Sequence, residues 1–99
     1  MTITLDPDRR ALVQGNAMLR LTRSEFELVA VLIAHPEFIR TRDQVLDAIL
    51  GLGGHEGYAK CVDAHVKRLR RKLKDAWGSQ AEACLRTSYG VGYYWKELA

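Results

Sequence analysis

No run of apolar residues in this chain approaches the roughly 18 needed to cross a bilayer, so a membrane-spanning helix is not expected. No basic stretch followed by an apolar one opens the sequence, and a secretory leader is not expected either. Cysteine is scarce. Cys61 and Cys84 are the only two, too few for the disulfide framework of a small secreted domain, and reduced thiols in a cytoplasmic protein are the expectation. Cys61 and His65 stand four apart, but two ligands fall short of a structural zinc site, so no metal and no cofactor is expected. Catalytic patterns are also missing. Ser24, Ser79 and Ser88 lack a nucleophile-elbow context, the acids do not cluster, and no glycine loop precedes a helix in the manner of a phosphate cradle. An enzyme is not expected.

What is present suits one small domain. The chain has 99 residues, 47% of them hydrophobic, enough for a single modest core. Its net charge of +3 is unevenly spread. Residues 60 to 74 hold seven bases (Lys60, Lys67, Arg68, Arg70, Arg71, Lys72, Lys74) against one acid, Asp63, and so carry +6. The other 84 residues hold eight bases against eleven acids and carry −3. Charge of one sign gathered on one segment is the footprint of a site for a polyanion.

The order of elements reads as strands, helices and a hairpin. Alternating runs predict strands at Thr2 to Leu5, Arg10 to Gln14 and Ala17 to Arg20, with turns at Asp6-Pro7-Asp8 and Gly15-Asn16. Thr22 to Glu25 fits a capping box, in which the Thr hydroxyl and the Glu carboxylate satisfy two orphan amides. Phe26, Val29, Ala30 and Ile33 follow as an apolar stripe that Leu28 and Leu32 widen, and Pro36 requires the helix to stop near Ala34-His35. A second capping box, Thr41 to Gln44, starts a helix whose Val45, Leu46, Ile49 and Leu50 are expected in the core. Gly51 is expected to stop it, and four glycines between Gly51 and Gly57 predict a flexible loop.

The third helix is predicted from Tyr58 to Ala76, closed by Trp77 and Gly78. Val62, Val66, Leu69 and Leu73, spaced 4, 3, 4, form its buried stripe. At about 100° per residue, Lys60, Ala64, Lys67, Arg68, Arg71 and Lys74 fall opposite that stripe. Arg70, Lys72, Asp63 and His65 flank it, and Arg70 is expected among the DNA contacts. Strands at Cys84 to Thr87 and Tyr93 to Lys96, joined through Ser88 to Gly92, predict a terminal hairpin. The class is therefore α+β: a winged helix-turn-helix with an N-terminal antiparallel sheet of about three strands, three helices and a C-terminal β-hairpin wing.

A helix that is apolar on one side and cationic on the other suits the major groove, which is about 12 Å wide. Ala64 permits close approach, and its methyl fits a thymine methyl. Arg68, one turn on, is the expected bidentate partner of guanine. Lys60, Lys67, Arg71 and Lys74 are expected on phosphates. Asp63 either accepts from a cytosine amino group or pairs with Lys67. His65 either meets a phosphate or flanks the core as a hydrogen-bonded side chain. In the hairpin, Thr87, Ser88 and Tyr89 are expected at the backbone or minor groove. Tyr93, Tyr94 and Trp95 are expected to pack, with Tyr93 the one whose phenol also reaches a phosphate. A solvated helix face is the plainer account of seven bases, but such faces usually carry acids four residues away, and from Cys61 to Lys74 Asp63 is the only acid. A membrane-surface helix is weaker, because the core needs the apolar stripe. A protein-interaction winged helix that docks an acidic partner is the remaining alternative.

Leu21-Thr-Arg-Ser-Glu-Phe-Glu-Leu28, Val62-Asp-Ala-His-Val-Lys-Arg-Leu-Arg-Arg-Lys-Leu73 and Gly90-Val-Gly-Tyr93 together resemble the OmpR/PhoB-type effector domain of bacterial two-component response regulators. The resemblance runs from about Ile3 to Lys96. It implies that the helix from Lys60 is the recognition helix and that the turn around Tyr89 is the wing. It further implies that the loop from Gly51 to Gly57 touches RNA polymerase or a neighbouring protomer. Such domains follow a phosphorylated receiver domain, absent from these 99 residues, that pairs two of them on direct-repeat DNA; alone, one is expected to be a monomer. The sequence departs from the family in having about three N-terminal strands rather than four, Leu50 in place of a Trp, Lys60-Cys61 in place of Arg-Thr, and Tyr89 in place of an Arg.

Overall fold

The computed structural model describes residues 2–50 and 59–97. Strands β1 (Thr4–Asp6), β2 (Ala11–Gln14) and β3 (Ala17–Arg20) form an antiparallel sheet in that order. Thr4 faces Val13, and Leu12 faces Leu19. The first turn closes on Asp6, whose Oδ1 accepts from the amides of Asp8 at 3.1 Å and Arg9 at 3.2 Å, the local competition for backbone donors that makes Asp a turn residue.

Helix α1 (Arg23–Ile33) begins at the expected capping box. The Glu25 amide donates to Thr22 Oγ1 at 3.2 Å, and the Thr22 amide donates to Glu25 Oε1 at 2.8 Å. Ala34 caps the other end, two residues before Pro36. The buried arc centres on Leu28, Val29 and Leu32. Phe26 and Ile33, expected at its middle, are only partly buried, because α1 packs on α2 (Arg42–Leu50) and on the terminal hairpin as well, which rotates the covered arc.

A two-residue strand, β4 (Arg40–Thr41), precedes α2 and was not expected. The second capping box forms as read: the Gln44 amide donates to Thr41 Oγ1 at 3.1 Å and the Thr41 amide to Gln44 Oε1 at 2.9 Å. Val45, Leu46 and Ile49 are buried, whereas Leu50, expected in the core, is 44% exposed. The expected helix stop at Gly51 and the loop 51–57 lie outside the described residues, as does Tyr58.

Helix α3 (Ala59–Trp77) carries the fold's largest amphipathic face. Val62, Val66, Leu69 and Leu73 are each at most 1% exposed. Burying one such side chain stabilises by about 1.5–3 kcal/mol, so the stripe is ample to hold the helix down. Gly78, at φ 89° and ψ −176°, ends it by donating to Lys74 O at 2.8 Å; that extended conformation at positive φ is open essentially to glycine alone. A single turn, α4 (Ser79–Glu82), follows and packs on α3 with Ala81 fully buried. Four residues are too few for periodicity to announce it.

Strands β5 (Leu85–Ser88) and β6 (Gly92–Trp95) form the hairpin, with Thr87 opposite Tyr93 and Ser88 opposite Gly92. β4 adds to its far side, giving a second antiparallel sheet in the order β4-β6-β5. The turn closes by Val91 N–H donating to Ser88 O at 3.0 Å, with Gly90 at φ 78°. A three-stranded sheet, three main helices and a hairpin wing make this a winged helix-turn-helix. Its core joins Leu12 of the first sheet, Leu28 and Leu32 of α1, the α3 stripe, and Trp95 of the wing.

A candidate nucleic-acid interface on the third helix

Packing sorts the charges of α3 into two groups. Those nearest the buried stripe are consumed inside the domain. Asp63 Oδ1 accepts from Arg42 Nε at 2.8 Å and from the Tyr93 hydroxyl. Arg70 donates from Nε to Leu85 O at 2.9 Å and from its terminal nitrogen to Thr87 Oγ1. Lys72 Nζ donates to Glu25 Oε1 at 2.9 Å. Three neighbours thus hold α3 by its flanks: α2, the wing and the first turn of α1.

The second group faces solvent. Ala64, Lys67, Arg68, Arg71 and Lys74 are all exposed, the face that helical spacing places opposite Val62, Val66, Leu69 and Leu73. Lys60 falls within α3, and its side chain lies outside the described residues. Arg71 lies 3.8 Å from Asp75, with both side chains at least 70% exposed; such a pair contributes little and is easily exchanged for another anion. Beside this face runs an open groove of about 660 Å³, lined by Lys67, Arg70, Arg71 and Lys74, by the acids Asp63, Asp75 and Glu82, and by Tyr93. A second groove of about 450 Å³ lies under the wing, lined by Arg70, Arg86, Thr87 and Tyr89 among others. Arg70 borders both.

His65 has a definite role in this arrangement. Its Nδ1 sits 3.1 Å from an Arg68 terminal nitrogen. A guanidinium can only donate, so Nδ1 accepts and the ring proton is on Nε2. Burial, and secondarily the Arg68 charge, hold the imidazole below its ordinary 6.5, which keeps that acceptor available. Asp63 is held below the ordinary carboxylate value by the Tyr93 hydroxyl first and Arg42 second. Tyr93 is pushed up by burial and by its bond to Asp63.

Several expectations change here. Asp63 pairs with Arg42 rather than Lys67, which points to the exposed side. Tyr93 is 5% exposed, and its hydroxyl donates to Asp63. Arg70 and Thr87, expected at the nucleic-acid surface, are bonded to each other. Ser88 is half-buried, and Tyr89 at the wing tip is 92% exposed. Two ties to α3 were not legible in the sequence: Arg42 to Asp63 and Glu25 to Lys72. Arg42 was legible only as a capping-box neighbour, and its partner lies 21 positions away. The Cys61–His65 pair cannot be placed, because the Cys61 side chain lies outside the described residues. Among the described residues no three His, Cys, Asp or Glu are grouped to hold a metal ion, and no helix is long and apolar enough to cross a membrane.

Residues 15–95 match the family described as transcriptional regulatory protein, C terminal. The heme response regulator HssR of Staphylococcus aureus (strain JH9) is 36% identical over 91 residues, which cover 92% of this chain and 39% of HssR. The chain spans less than two fifths of the length of the curated relatives it matches, 37% to 39%. Two solved structures have a similar fold. The DNA-binding domain of response regulator AdeR, in complex with an intercistronic region, superposes with a TM-score of 0.78 at 26% identity, covering 97% of this chain and 95% of that one. The DNA-binding domain of Klebsiella pneumoniae RstA, in complex with the RstA box, superposes with a TM-score of 0.75 at 29% identity, covering 94% and 89%.

Proposed function

Because the chain belongs to the family of C-terminal domains of transcriptional regulatory proteins, we propose that residues 1–99 are the DNA-binding output domain of a two-component response regulator. It binds duplex DNA sequence-specifically with α3 in the major groove and controls transcription in the cytoplasm. The observation that carries this reading is the sorting of charge on α3. Asp63, the one acid in the basic segment, is engaged with Arg42, while Lys67, Arg68, Arg71 and Lys74 stand exposed on one face of the helix.

Ala64 and Arg68 are the base readers, with His65 orienting the Arg68 guanidinium through their shared hydrogen bond. Lys67, Arg71 and Lys74 are phosphate contacts, and helical register adds Lys60 to them. Ser88 and Tyr89 bring the wing against the sugar-phosphate backbone or minor groove. Arg70, Thr87 and Tyr93 act from behind, fixing the wing to the recognition helix. In a longer protein, a receiver domain pairs two such domains on direct-repeat DNA, the isolated domain is a monomer, and the loop 51–57 contacts RNA polymerase.

Salt titration tests the binding mode. Log K should fall by about 0.9 per phosphate neutralised for each unit of log salt, hence a slope of roughly 3 to 4 for the four phosphate contacts, Lys60, Lys67, Arg71 and Lys74. Arg68→Ala should relax base preference at one position by about 1–3 kcal/mol, whereas Lys74→Ala should weaken every sequence alike and lower the slope by about 1. Binding untouched by either substitution contradicts the assignment of this face.

A further inference from the structure

We propose that Asp63 is a positioning residue for base reading, an anchor that ties the leading half of α3 to α2 through Arg42 and to wing strand β6 through Tyr93. This rests on the DNA-binding reading above.

Three observations support it. Asp63 Oδ1 is a meeting point of three elements, accepting from Arg42 Nε at 2.8 Å and from the Tyr93 hydroxyl. The junction extends further, since the Arg42 and Arg70 guanidinium carbons stand 5.9 Å and 5.7 Å from the Tyr93 ring centroid. Arg70 continues to Leu85 O and Thr87 on β5. A polar chain therefore runs from α2 through α3 to both wing strands. Finally, Asp63 directly precedes Ala64, the residue best placed for closest approach to bases, and stands five residues before Arg68 at the middle of the helix.

The chemistry explains why a carboxylate belongs there. A bare Asp on a helix facing phosphates is repulsive. Bonded to a guanidinium, its charge is compensated and its direction fixed, because N–H···O⁻ bonds are short and oriented. Hydrophobic burial of Val62 and Val66 fixes the depth of α3 but is non-directional. The buried stripe sets which side of the helix faces outward, and directional contacts on its flanks fix the finer rotation that decides where Ala64 and Arg68 point. Asp63 supplies one.

The test uses the whole chain, an operator selected from a random duplex library, and a random duplex, with affinities read by fluorescence anisotropy at one salt concentration. Asp63→Asn should bind random duplex at least as tightly as the native chain, since one repelling charge is gone. It should lose operator-over-random discrimination by roughly tenfold, the scale of one well-placed base contact, spread over several base positions. Arg42→Gln should weaken both duplexes, and Arg42→Gln with Asp63→Asn should recover random-duplex binding. Native discrimination in Asp63→Asn overturns the proposal. So does a change confined to one cytosine position, which makes Asp63 a base reader. A double variant as weak on random duplex as Arg42→Gln also overturns it, because Arg42 then acts on phosphate directly. If Asp63→Asn fails to fold, Tyr93→Phe removes one bond to the same carboxylate; it should show a smaller loss of discrimination, and no loss overturns the proposal. Failure of the native chain to bind any duplex is a different result, and it removes the DNA-binding reading itself.

Discussion

Gly92 shows how tightly single residues constrain the wing. A Cβ built there lies 1.8 Å from Arg40 O and 2.9 Å from Thr41 Cα. Both are backbone atoms of β4, so no side-chain rotation relieves the clash. Gly92→Ala should part β4 from β6 and cost about 3 kcal/mol or more, read as a lowered denaturation midpoint; a native midpoint contradicts the β4–β6 approach. Gly90, at φ 78° with open space around its Cα, is a milder case. The sequence announced both glycines only as turn formers. It announced Val62, Val66, Leu69 and Leu73 correctly, because helical spacing fixes which side chains share a face. It could not announce that Asp63 meets Arg42 and Tyr93, 21 and 30 positions away, since periodicity relates only near neighbours. That is also why Arg70 and Thr87 were read as surface contacts.

At the scale of elements, the first turn of α1 carries two functions on one side chain. Glu25 closes the capping box with Thr22 and holds Lys72 of α3. Thr22→Ala should cost about 1 kcal/mol. Glu25→Ala should cost more, because it also leaves Lys72 without its partner. In a Glu25, Lys72 double-mutant cycle followed by urea unfolding, a coupling of about 0.5 kcal/mol or more is expected; additive losses contradict the tie. Both capping boxes were plain in the sequence, since Thr and Glu or Gln three apart bond locally. β4 and α4 were not, being two and four residues long and stabilised by their partners, β6 and α3, instead of by their own pattern. Phe26 and Ile33 of α1 are less deeply buried than helical spacing alone predicts, because covering elements on more than one side decide which residues of a wide apolar face are innermost.

For the molecule as a whole, acid should destabilise. His65 is held below its ordinary 6.5 by burial first and Arg68 second. Burial raises Glu25, but the Thr22 amide and Lys72 outweigh it and leave the carboxyl below 4.5. Asp63 lies below 3.8 through Tyr93 and Arg42. Each group binds fewer protons folded than unfolded, so each contributes stability that is complete above its ordinary value and lost as pH falls through its folded one. Melting temperature should therefore be flat near neutrality, decline slightly below 6.5, and fall more steeply below about 4.5 as the carboxylates protonate. A midpoint that rises from pH 7 to pH 5 contradicts these assignments. The same molecule separates its charge, placing exposed cations on one helix face beside a wing tip formed by Tyr89 and Val91, which are 92% and 50% exposed. Whether that face meets DNA is tested most directly by mapping amide chemical shifts during titration with duplex DNA at low salt. Shifts are expected along α3 at Lys67, Arg68, Arg71 and Lys74 and at the wing from Ser88 to Val91, with β1 to β3 unmoved. No shift along α3 with duplex, together with shifts at those residues on addition of an acidic peptide, contradicts DNA binding and makes the helix a protein-docking surface.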